Sequence, residues 1–88
     1  MIYTVRFEKQ AQRFLKKADR FTANLLMEWI AKNLEDTKDP RIHGKGLTGV
    51  RSGEWSYRVG SYRIIAEIED ATETILVTTI NRRGKAYR

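Results

Sequence analysis

Hydrophobic and polar positions along the chain change period twice. Residues 2–7 alternate, with Tyr3, Val5 and Phe7 on one side, which predicts a first strand. From Glu8 the spacing becomes helical. Phe7, Ala11, Phe14, Leu15 and Ala18 share one face, while Lys9, Gln12, Arg13, Lys16 and Lys17 take the other. Asp19-Arg20-Phe21-Thr22 breaks the pattern and offers a cap for a second helix, whose apolar stripe is Leu25, Leu26, Trp29, Ile30 and Leu34. Helices joined this tightly form an antiparallel hairpin. Phe14 and Trp29, at stripe positions, read as core residues packed on a sheet. Thr37-Lys38-Asp39-Pro40 ends the second helix, because Pro40 prevents its continuation.

Residues 41–53 read as a loop, with Gly44, Gly46, Gly49 and Gly53 supplying bends. Alternation then returns in residues 55–59 and 62–69, separated by the pair Gly60-Ser61. A two-residue, glycine-led loop is the signature of a tight β-hairpin, and its length fixes the register. Val59 falls opposite Tyr62, Arg58 opposite Arg63, and, further out, Glu54 opposite Glu67. Asp70-Ala71-Thr72 makes a turn into a last strand over residues 73–80. Tyr62, Ile64, Ala66 and Ile68 face the helices; Arg63, Ile65, Glu67 and Glu69 face away. The prediction is an α+β fold in a single domain spanning residues 1–88. An N-terminal strand and an antiparallel helix hairpin precede a three-stranded antiparallel meander, and both helices pack on one face of the sheet.

The hairpin raises a chemical question. Like charges directly across an antiparallel pair destabilise it, so Arg58 facing Arg63 points to a bound anion. Phosphate fits best, since guanidinium groups present planar donor forks to its oxygens. Diagonal Arg–Glu pairs on a solvated sheet are the plainer alternative. Charge favours the anion: 17 Lys and Arg against 11 Asp and Glu give +6, of which residues 41–88 hold +4. Such a balance suits nucleic acid or an acidic protein partner. The terminal run Asn81-Arg82-Arg83-Gly84-Lys85-Ala86-Tyr87-Arg88 adds cations and a ring. Folded across the sheet, it would bring Arg83 and Tyr87 to Arg58 and Arg63. Cations that track phosphate beside a ring that stacks on a base suit single-stranded RNA. Lys45, Arg51, Arg82, Lys85 and Arg88 are the further cations expected to bind RNA.

Other classes recede. The chain has no cysteine and one histidine, His43, so neither a disulfide framework, a metal site nor a cofactor is expected. No apolar run approaches the ~20 residues that span a bilayer, and no signal sequence is visible, so a soluble cytoplasmic protein without a membrane partner is expected.

One ordered set of residues is more specific. It comprises His43-Gly44-Lys45-Gly46-Leu47-Thr48-Gly49, then Gly53 through Ile65 with its Tyr57-Arg58-Val59-Gly60-Ser61-Tyr62-Arg63-Ile64-Ile65 core, then Ile80-Asn81-Arg82-Arg83 and Tyr87. In this order it resembles the RelE/ParE toxin superfamily over essentially the whole chain. The resemblance implies the toxin of a type II toxin–antitoxin pair. RelE-like members enter the ribosomal A site and cut mRNA without a metal, by attack of a 2′-hydroxyl on the adjacent phosphate. A cyclic 2′,3′-phosphate and a 5′-hydroxyl result. Carried over, Arg63 holds the scissile phosphate, Arg83 stabilises developing charge and assists the leaving oxygen, and Tyr87 stacks on or orients the substrate. Arg58 stands where many relatives carry a lysine. The implied partners are mRNA in the ribosomal A site and an acidic RelB-like antitoxin that wraps a disordered segment around the toxin. Operator DNA would be met only through the antitoxin complex.

The sequence also departs from the family pattern. Ser56 stands where some RelE-like toxins carry a second lysine, and Asn81 where many have histidine. YoeB-like toxins use a loop glutamate and a C-terminal histidine; Lys45 and Tyr87 stand nearest here, so that scheme does not transfer. A guanidinium stays protonated, so Arg58 is a poor general base. His43 could serve as a base at neutral pH, but the resemblance implies no role for it, and the base stays unassigned. Two other functions remain open: a ParE-like inhibitor of DNA gyrase that cleaves nothing, and a catalytically inactive antitoxin partner acting as corepressor.

Overall fold

The computed structural model describes residues 2–47 and 53–83. In chain order these form β1 (Thr4–Phe7), α1 (Lys9–Lys17), α2 (Arg20–Asn33), β2 (Lys45–Gly46), β3 (Glu54–Val59), β4 (Tyr62–Glu69) and β5 (Thr74–Arg82). The sheet runs β1-β5-β4-β3-β2. Every expected element is present, with three differences. The segment read wholly as loop contributes β2, which pairs antiparallel to β3 through Lys45↔Ser56 and Gly46↔Trp55. β1 lies parallel to β5, from Thr4↔Thr74 to Phe7↔Val77, so the sheet is mixed rather than antiparallel. The long excursion between these strands allows a parallel pairing that no tight turn permits. The second helix also stops early, at Asn33, with Leu34 as its C-cap and Asp36 at φ 61° just beyond.

The hairpin has the register its turn dictates: Val59↔Tyr62, Arg58↔Arg63 and Glu54↔Glu67. Gly60 sits at φ 58°, a region glycine enters without a Cβ clash.

The core lies between the helices and one face of the sheet. Ala11 of α1 and Leu26, Ile30 and Leu34 of the α2 segment meet Tyr3, Val5, Tyr57, Val59, Ile64, Ala66, Ile75, Val77 and Ile80. Alternation holds on β4 but not on β5, where Val77 and Ile80 are three residues apart and both fully buried. A β-bulge explains this. Ala66 pairs with Val77 and Ile65 with Thr79, leaving Thr78 as the extra residue, whose hydroxyl donates to the Ile65 carbonyl at 3.2 Å. The bulge resets the alternation and places Asn81 beside Arg63. Beyond the end of β1, the Gln10 carboxamide accepts from Ile80 N–H at 3.0 Å and donates to Ile80 C=O at 3.4 Å, joining α1 to β5.

The face away from the helices is not uniformly open. Ser56 and its cross-strand partner Ile65 are buried there, at 7% and 4% exposure, and Ile65 stands outside the core under the helices. Arg58 is exposed and Arg63 half-buried at the hairpin end of the same face.

Three polar anchors fix the frame. Asp19 caps α2, accepting from Thr22 N–H at 3.2 Å and from the Thr22 hydroxyl at 2.6 Å. These donors hold its carboxyl below the usual range. Tyr57 is fully buried and donates its hydroxyl to the Pro40 carbonyl at 2.7 Å; burial pushes its phenol well above the ordinary value. Across the sheet, Arg41 forks onto Asp70 at 3.1 and 3.2 Å while the Tyr3 hydroxyl donates to the same carboxylate at 2.6 Å.

Two outcomes follow from these anchors. Tyr57→Phe leaves a buried carbonyl without its donor, and the melting temperature is expected to fall by roughly 5–15 °C; an unchanged melt would contradict the anchor. Asp19 has a lowered carboxyl pKa in the folded chain, so its contribution is complete above the unfolded value near ~3.9 and is lost as pH falls through the folded one. Asp19→Asn is therefore expected to flatten the loss of stability below about pH 4, measured by denaturant titration at several pH values.

Candidate functional site

The site grows from β3, whose residues alternate between two tasks. Tyr57 points under α2, where its ring lies 5.6 Å from Trp29, and its hydroxyl holds Pro40 at the start of the loop that leads to β2. Trp55 holds the other end of that loop, its indole N–H donating to the His43 carbonyl at 2.6 Å. Just past the second clamp the backbone turns at Gly44, φ 75°. Only glycine fits there: a Cβ would run into the Ser56 carbonyl and stand 3.0 Å from both Trp55 Nε1 and Tyr57 Cδ1. The chain then enters β2, and Leu47 N–H bonds to the Glu54 carbonyl at 2.9 Å.

The intervening residues of β3, Ser56 and Arg58, face the other way. Together with Arg63 from β4, Trp29 from α2, and His43, Gly44 and Lys45 from the clamped loop, they line a cleft of about 490 Å³. Lys45 and Arg58 are exposed and Arg63 is half-buried. Among its described lining residues three are cations and none is acidic. Arg63 lies between Arg58 on one neighbouring strand and Asn81 on the other. Opposed side chains of an antiparallel pair have Cβ atoms about 5 Å apart, so both guanidinium groups can reach one phosphate.

The other sequence-derived candidates are placed differently. Arg83 is half-buried at the hairpin tip, outside the cleft lining. Its N–H meets the Ser61 carbonyl at 2.6 Å and its guanidinium donates to the Gly60 carbonyl at 2.9 Å. Arg82 is exposed and lines a separate cavity of about 570 Å³ with Gln10, Phe14, Asp19, Thr22 and Tyr62, on the helix side of the sheet. Arg51, Lys85, Tyr87 and Arg88 lie outside the described residues. The cleft thus gathers Arg58, Arg63 and Lys45 and leaves Arg82 elsewhere. It also draws in residues that periodicity had assigned to other tasks. Trp29 reads as core by its spacing, yet it is half-buried and doubles as a cleft wall. His43 stands beside it, ring centroids 5.8 Å apart and planes at 69°. The one signal in the sequence was His43-Gly44, a glycine whose need becomes visible only when β2 docks on β3.

Among the described residues no group of three His, Cys, Asp or Glu side chains is placed to hold a metal ion, and no helix is long and apolar enough to cross a membrane.

Known proteins resemble this chain throughout its length. The family model described as ParE toxin of type II toxin–antitoxin system, parDE, matches residues 5–87. Toxin RelG of Mycobacterium tuberculosis is 32% identical over 88 residues, spanning 100% of this chain and 99% of that protein. A chain of the toxin–antitoxin complex RelBE2 from the same organism matches with a TM-score of 0.84 at 30% identity, covering 94% of this chain and all of that one. An arginine-to-alanine double mutant of Escherichia coli toxin RelE in the free state shares the fold, with a TM-score of 0.76 at 19% identity over 99% of this chain and 90% of that one. The family match runs from β1 through the hairpin into the terminal segment, and the helix and sheet arrangement superposes on solved toxins. The chain belongs to the RelE/ParE superfamily, the toxins of type II toxin–antitoxin systems.

Proposed function

We propose that this toxin is a ribosome-dependent mRNA endoribonuclease. The observation that carries the reading is the Arg58/Arg63 pair, set face to face in a cleft that also holds Lys45 and, among its described lining, no acid. In-line attack of a 2′-hydroxyl on the adjacent phosphate builds negative charge on the nonbridging oxygens. Guanidinium groups fixed in place before reaction stabilise that charge more than they stabilise the ground state. Arg58 and Arg63 grip the scissile phosphate. Arg83, bonded to Gly60 at the tip of the same hairpin, supplies the third guanidinium as the bond to the 5′-oxygen breaks. Lys45 tracks a neighbouring phosphate, with Arg51, Arg82, Lys85 and Arg88 as outlying contacts, and Tyr87 stacks on a base. No step requires a metal or cofactor.

The same reading gives the toxin an antitoxin. The RelBE2 and E. coli RelBE structures are toxin–antitoxin complexes, and a +6 domain calls for an acidic cover. A disordered acidic segment that folds on contact can blanket a small protein's surface. Its expected footprint includes Arg58 and Arg63.

A gyrase inhibitor is the second reading, favoured by the ParE description of the matching family model and by Arg58 and Ser56 standing at the family's lysine positions. Primer-extension mapping of cellular mRNA after brief expression separates the two. Cuts inside translated codons, lost in Arg63→Ala and Arg83→Ala, support the nuclease; intact mRNA with induced DNA damage supports gyrase inhibition instead.

Arg58→Ala carries a further expectation. Removing one opposed cation relieves repulsion across the hairpin, so the melting temperature is expected to hold or rise. Cleavage on programmed ribosomes is expected to fall on the order of a hundredfold or more. A variant that loses stability but keeps its cleavage rate would contradict both halves.

A further inference from the structure

We propose that His43 is the proton acceptor of the cleft, taking the 2′-hydroxyl proton as that oxygen attacks the phosphate gripped by Arg58 and Arg63. The assignment rests on the nuclease reading and gives it the base that the family's lysine positions do not supply here.

The described lining narrows the choice. Besides Gly44, the side chains are those of Trp29, His43, Lys45, Ser56, Arg58 and Arg63. A guanidinium keeps its proton, an ammonium ordinarily holds its own to about pH 10, an indole N–H only donates, and a serine hydroxyl is no base near neutrality. An imidazole by type offers an unprotonated nitrogen near pH 7. Among the described residues, the charged groups that share the cleft with it are Lys45, Arg58 and Arg63. Trp29, in ring contact with it, and Trp55, bonded to its carbonyl, carry no charge.

The structure also holds this histidine in place, as a base must be held. Its carbonyl accepts from Trp55 at 2.6 Å, the next residue is seated against the Ser56 carbonyl, and Lys45 is locked in register with Ser56. Its ring packs T-shaped against Trp29, which is itself packed on Tyr57. The side chain stays exposed, so a polynucleotide can reach it. An exposed residue gripped at both backbone and ring differs from a solvated surface histidine.

The chemistry balances. The neutral imidazole nitrogen takes the proton, the 2′-oxygen forms a bond to phosphorus, and the bond from phosphorus to the 5′-oxygen breaks. The 5′-oxygen takes a proton from water, and the imidazolium returns its own to solvent. A cyclic 2′,3′-phosphate and a 5′-hydroxyl are left.

The test is single-turnover cleavage of mRNA on programmed ribosomes between about pH 5 and 9, spanning the imidazole range. It compares the unaltered chain with His43→Gln, Trp29→Phe, Arg58→Ala, and His43→Ala with added imidazole. The unaltered rate is expected to climb on an acid limb and level off. His43→Gln is expected to lose on the order of 10²–10⁴-fold together with that limb. Imidazole should restore part of the rate to His43→Ala, while Trp29→Phe, which keeps an aromatic ring there, should retain the limb. A His43→Gln protein that keeps the acid limb, whether slowed or not, overturns the assignment and leaves the nuclease standing if Arg58→Ala is impaired. An unaltered chain that cuts nothing at any pH overturns the nuclease reading, and the base falls with it.

Discussion

Two like charges held face to face across a hairpin are the constraint around which this molecule is arranged. The repulsion between Arg58 and Arg63 favours any slip that would separate them, yet a one-residue slip would turn every side chain of the strand to the wrong face. If β3 slipped, Tyr57 and Val59 would leave the core for solvent and a cation, Arg58, would enter it. Burial therefore enforces what electrostatics opposes. Gly60 fixes the turn, and Arg83 ties its far side through two bonds to the tip. The arginine face is held by the hydrophobic face behind it.

The same economy appears in β3. Its inward aromatics, Trp55 and Tyr57, would serve the core equally well as aliphatic residues. As Trp and Tyr they also carry an N–H and an O–H, each spent on a loop carbonyl. Buried aromatic donors seek partners, and here the partners are the two ends of the segment that forms the cleft wall. Core packing and cleft geometry are thus set by the same two rings. A substitution that preserves their bulk but removes the polar atom would disturb the cleft before it disturbed the core.

Much of this was legible in the chain. The register of the hairpin followed from the length of its turn, and the Asp19 cap and the stripe Leu26, Ile30 and Leu34 followed from type and period. What escaped was long-range. Nothing local says that β1 will run parallel to β5, or that Lys45 and Gly46 will add a strand, because a two-residue bridge has no period to read. The burial of Ser56 and Ile65 escaped for a related reason, since alternation names a face without saying what else lies on it. Trp29 was read as core by its position in the stripe, and it is a wall as well, a role that only the neighbouring loop reveals. Arg82 and Arg83, adjacent in sequence, diverge to opposite sides of the strand end, as extended backbone requires.

Gln10 settles a different matter. Past the end of β1, the outer margin of β5 would offer Ile80 as an open donor and acceptor, and exposed strand margins invite a second chain to add itself. The Gln10 carboxamide imitates a peptide unit and meets both groups. A single side chain from α1 thereby closes that margin to a partner's backbone, so self-association by strand addition is discouraged on the side of the sheet remote from the arginine cleft.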